Sequence, residues 1–117
     1  MEVKRHFSRV PFKLESTLTV GQTSFDTMVI DISLKGALIT KPEEWSPDDG
    51  QDILLVMKLA DSDILMQMQS EVAHEHEDKL GLRFVEIDVD SLSHLRRLLE
   101  LNLGDAELIN KEVSKFY

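Results

Sequence analysis

The sequence contains no cysteine. Disulfides, thiolate chemistry and cysteine-based zinc sites are therefore excluded. No apolar run approaches the length that crosses a bilayer, and the first residues lack the apolar core of a signal peptide. That pattern predicts a cytoplasmic chain with no membrane insertion. Enzyme signatures are also missing: there is no G-x-S-x-G elbow, Walker loop, G-x-G-x-x-G fingerprint or H-E-x-x-H pair. No catalytic residue is assigned. His74 and His76 share a strand face at i and i+2, but no third ligand accompanies them, so no metal site and no cofactor are expected.

What is present describes one small domain. The 117 residues are 42% hydrophobic and 30% charged, enough for a modest single core. Thirteen basic residues against 22 acidic ones leave a formal charge of −9, which argues against a nucleic-acid polymer as partner. The charge is uneven. Lys4, Arg5, Arg9 and Lys13 face only Glu2 in the first 13 residues, whereas residues 41–90 carry 14 acids. A basic segment ahead of an acidic body points to a local anion site.

Period-two alternation marks the first strand: Phe12, Leu14, Ser16, Leu18 and Val20 share one face. Val20-Gly21-Gln22-Thr23 is a turn. A second strand over Ser24 to Ser33 puts Met28, Ile30 and Ile32 on one face, with Val29, Asp31 and Ser33 opposite. Gly36 to Thr40, Ile53 to Leu59, Ile64 to His74 and Leu80 to Val85 complete six short strands, and Met66 to Gln69 ("MQMQ") reads as core or rim packing. Residues 43–51 read as a loop. Six antiparallel strands close most simply into a barrel. At the C-terminal end Asp90 or Ser91 can cap a helix striped by Leu92, Leu95, Leu98, Leu99 and Leu103, and Gly104 stops it. Asp105 can cap a second helix. The expected fold is an all-β, six-stranded barrel capped by one or two C-terminal helices. Its expected divisions are an N-terminal segment 1–9, a barrel over 10–89 and helices over 90–117.

Two short segments carry candidate chemistry. "RHFSR" (residues 5–9) offers two arginines, whose planar forks suit phosphates and the O6/N7 edge of guanine. "DISLKG" (residues 31–36) offers an aspartate and a hydroxyl two positions apart, followed by a glycine that permits close backbone approach. Each segment alone also fits a bland account, as a solvated tail and as a common turn. Together they are complementary to a guanine nucleotide with phosphodiester groups.

R-x-x-x-R followed by D-x-S-x-x-G at the end of the second strand resembles the PilZ domain, a family of bacterial receptors for the second messenger cyclic di-GMP. The resemblance spans essentially the whole chain, including "GLRF" (residues 81–84). The tail over residues 90–108 is similar to that of stand-alone PilZ proteins of proteobacteria. It implies that Arg5 and Arg9 grip phosphates and guanine, that Asp31 and Ser33 bond base and phosphate, and that Gly36 keeps the approach clear. Lys4 falls where a basic residue goes with two intercalated ligand molecules. His74 falls where close relatives stack a tryptophan on the ligand. The implied protein is a monomeric adaptor whose N-terminal segment, mobile when free, closes over cyclic di-GMP and signals to an unidentified downstream protein. The alternatives are a PilZ-like interaction module that binds no nucleotide, and an enzyme acting on a nucleotide, for which no nucleophile or metal ligand set is identifiable.

Overall fold

The computed structural model describes residues 10–44, 52–59 and 62–103. RHFSR, Lys4, Trp45 and the expected second helix lie outside the described residues. Among the described residues there are six strands: β1 (Val10–Val20), β2 (Thr23–Ile32), β3 (Gly36–Thr40), β4 (Ile53–Lys58), β5 (Leu65–His76) and β6 (Lys79–Ile87). Helix α1 (Val89–Leu103) follows them. All pairings are antiparallel, and the ring closes in the order β1-β2-β3-β6-β5-β4 because β4 also pairs with β1. Among the described residues closure leaves no strand at a sheet edge, where unpaired backbone groups would template aggregation.

The barrel interior is filled by alternate residues of each strand, among them Leu18, Ile39, Leu55, Met66, Met68, Leu80 and Leu82, with Leu95, Leu98 and Leu99 of α1 in the same cluster. Met57, Met66 and Met68 are fully buried. Unbranched thioether side chains adapt to an irregular barrel interior that has few aromatic rings to fill it. Three inward hydroxyls find carbonyl acceptors, two of them within their own strand. Ser16 and Ser70 donate to the carbonyls two residues back, of Leu14 and Met68, and Thr27 donates to the Thr40 carbonyl at 2.6 Å.

The hairpins follow local turn chemistry. Gly21 has φ 63, the left-handed value its turn requires, and Val20 pairs with Thr23 across it. The β5–β6 hairpin is tighter than its sequence suggests. The strands extend to His76 and Lys79, and Glu77 takes φ 54 without being glycine. Asp78 beside it accepts from Lys79 Nζ at 3.2 Å, and this bond holds its carboxyl below the ordinary value.

Two expectations are corrected. Strand β2 does not keep one inward face. Thr27 and Val29 are buried, Met28 and Ile30 only half so, and inwardness then passes to Ile32. The β2–β3 register slips between Val29 and Asp31, so one inserted residue moves the pattern to the other face. The helix, moreover, begins before Asp90. Asp88 Oδ2 accepts the Ser91 backbone N–H at 2.9 Å, making Asp88 the N-cap, and this bond lowers the Asp88 pKa. Ser91, almost fully buried, accepts the Gln67 backbone N–H through its hydroxyl at 2.9 Å and so ties the first helical turn to β5.

Candidate functional site

The bulge in β2 sets which side chains share the outer wall. Past it, Asp31 pairs with Leu38, Leu38 with Gly81, and Gly81 with His74. Neighbouring pairs such as Ala37–Leu82 and Ile39–Leu80 are buried, so this row points outward. A second bulge, in β5 between Val72 and His74, brings His74 into line. Residues far apart in sequence thus stand side by side on β2, β3, β6 and β5. On the other side of β2, Pro11 pairs with Asp31 and Val10 with Ile32. The segment that follows RHFSR therefore enters the barrel beside Asp31.

The turn after β2 is held by Ser33. Its hydroxyl accepts the backbone N–H groups of Lys35 and Gly36, both at 3.2 Å, and lies 3.3 Å from the Gly36 carbonyl oxygen. The Ser33 N–H donates to that same carbonyl at 2.8 Å. Phe84 N–H donates to the Lys35 carbonyl at 2.8 Å, pinning the turn to β6. Ser33 is 6% exposed, whereas Asp31 is half-buried on the outer face. The alternation that puts both side chains on one exposed face holds for Asp31 and ends there, because the chain turns at Ser33 and the hydroxyl serves the turn.

Gly36 and Gly81 also have structural reasons to be glycine. A Cβ on Gly36 would collide with the Leu82 carbonyl oxygen, since β3 and β6 approach closely. A Cβ on Gly81 would fall within the imidazole of His74, which lies across the glycine as a cover. His74 is itself exposed, so one ring face rests on the strand and the ring stays accessible.

One charged pair on this wall escaped sequence reasoning. Arg83 stands between Gly36 and Glu71 in the next outward row, and its guanidinium is paired with the Glu71 carboxylate. The signal for Arg83 was its place two residues after Gly81 in "GLRF", which strand alternation turns outward. Further along, Lys41 Nζ bonds Glu75 Oε2 at 2.8 Å. Among the described residues no group of three or more histidine and acidic side chains is gathered as a metal would need.

The family model for the PilZ domain matches residues 3–101. The chain belongs to the PilZ domain family. Solved PilZ-type structures share its fold. The Bacillus subtilis inhibitor of motility MotI/DgrA superposes with a TM-score of 0.72 at 17% identity, over 89% of this chain and 54% of that one. This chain thus spans about half the length of that protein. The PilZ domain of CeSA from a cellulose-synthesizing bacterium matches at TM-score 0.61 and 10% identity, over 83% of this chain and 96% of that domain. The Borreliella burgdorferi PlzA protein, solved in complex with c-di-GMP, matches at 0.54 and 15% identity, over 79% of this chain and 39% of that protein. At these identities the likeness concerns the fold. No helix among the described residues is long and apolar enough to cross a membrane.

Proposed function

We propose that this PilZ domain is a cyclic di-GMP receptor, a non-catalytic adaptor that passes the signal to a downstream protein in the bacterial cytoplasm. The observation that carries the reading is the outward row from Asp31 to His74, set beside the point where the chain enters β1 after RHFSR. Asp31 can accept from the amino and imino edge of guanine, and His74 offers a ring for stacking. Arg5 and Arg9 supply bidentate phosphate and base contacts. Ser33 and Gly36 shape the turn that presents Asp31, and Lys4 adds a point charge suited to a second stacked ligand. Two ligands on a monomeric chain, with residues 1–9 closing over them, complete the proposal.

The second reading is an interaction module without nucleotide binding. It draws on the Ser33 hydroxyl being committed to the turn and on Gly36 being required by strand packing. Calorimetric titration with cyclic di-GMP, against GMP and cyclic di-AMP as controls, separates the two. The receptor reading expects saturable binding of two molecules, weakened by salt. It also expects Arg5→Ala and Arg9→Ala each to cost about 2 kcal/mol or more of binding, with the fold intact. Absence of binding by the unaltered protein leaves the interaction module.

A further inference from the structure

Arg83 and Glu71 form a cross-strand ion pair on the same outer wall as Asp31 and His74. Both are substantially exposed, at 59% and 46% of their side-chain surface. The pair stands one outward row from Asp31, Leu38, Gly81 and His74. Gly36, the cross-strand partner of Arg83 on the other side, has no side chain to cover the arginine's stem. A guanidinium so placed can reach a ligand lying over that row. Lys41 and Lys79 lie toward the other end of the wall, in ion pairs with Glu75 and Asp78.

We propose that Arg83 is a further ligand-contacting residue of this site and that Glu71 is the counter-ion the ligand displaces. The inference rests on the cyclic di-GMP reading above. In the free protein the carboxylate satisfies part of the guanidinium fork. A bound phosphodiester, or the O6/N7 edge of guanine, takes over those donors, and Glu71 turns to solvent. An exposed ion pair is weak enough to be exchanged in this way. Glu71 then sets affinity in two ways: it competes for the guanidinium, and it requires the arriving group to be a better partner than a carboxylate. A neutral or poorly hydrogen-bonding ligand does not meet that condition.

The test is a double-mutant cycle in cyclic di-GMP affinity, measured by calorimetry on the whole chain, with thermal melts to check folding. Arg83→Gln should weaken binding about tenfold through loss of a charge-assisted contact. Glu71→Gln should tighten it about two- to fivefold, the scale of one exposed ion pair. Glu75→Gln removes a carboxylate from the same strand, one held by Lys41, and controls for net charge. Its effect should be smaller than that of Glu71→Gln. In the Arg83→Gln background the extra gain from Glu71→Gln should vanish, because the two act through one contact. Arg83→Gln binding as tightly as the unaltered protein overturns the inference while leaving the receptor reading intact. A gain from Glu71→Gln that matches Glu75→Gln, or that persists without Arg83, overturns the role of Glu71. If the unaltered protein binds no cyclic di-GMP, the receptor reading fails and this inference fails with it.

Discussion

Two short stretches of this protein use the same two residue types and put them to different ends. In residues 31–36 Asp31 stands on the outer wall while the Ser33 hydroxyl accepts two backbone N–H groups of the turn. In residues 88–91 the aspartate does the capping, accepting the Ser91 N–H, while the serine hydroxyl reaches across to Gln67 of β5. The pairing of aspartate and serine says only that backbone donors nearby can be satisfied. Which side chain faces outward depends on where the closed barrel leaves room. In the first stretch that is the aspartate, at the β2 end of the outward row that His74 closes on β5. In the second the serine is enclosed between helix and sheet.

That contrast can be tested at several strengths. The largest effect is expected at Gly36. Gly36→Ala sets a Cβ against the Leu82 carbonyl oxygen, a backbone atom that cannot swing away. A loss of about 3 kcal/mol in denaturant unfolding is expected. A variant as stable as the parent would return Gly36 to a purely ligand-clearing role. Next comes the division of labour within the turn. Ser33→Ala leaves two backbone donors without their acceptor and should cost about 2 kcal/mol of stability. Asp31→Ala should cost less stability than that and more cyclic di-GMP affinity. Equal stability losses would merge the two roles and remove the contrast.

The smallest effect is at the helix start. Asp88→Ala should cost about 1 kcal/mol, the usual value of an N-cap. The Ser91 N–H lowers the Asp88 pKa relative to an unfolded carboxyl near about 3.9. The cap's stabilisation is thus fully present above that unfolded value and is lost as pH falls through the lower folded one. Urea melts from pH 6 down to pH 2.5 should show the parent and Asp88→Ala converging at the acid end. A gap that stays constant to the lowest pH would mean that Asp88 acts through packing.

Much of the barrel was legible because strand alternation and turn residues are local signals. Leu14, Ser16, Leu18 and Val20 read correctly, as did the Gly21 turn. Where the reading slipped, the cause was non-local. A bulge in β2 moved Val29 into the core and half-exposed Met28 and Ile30, and no residue in that strand announces it. Glu77 closes a hairpin in a left-handed conformation with no glycine as signal. Asp88 does not stand out as the cap from sequence, because Asp90 and Ser91 fit the same rule.

By itself the sequence determined the number and order of the strands, the amphipathic stripe of α1, and the paired arginine and aspartate–serine motifs of a PilZ domain. Each depends on periodicity or on residues close along the chain. Only the tertiary structure decided that Asp31 and His74 share one row, that the Ser33 hydroxyl belongs to the turn, and that Arg83 stands opposite Glu71. Those relations depend on register, and one bulge changes the face of every residue beyond it. Register in a closed barrel is set by all six strands together.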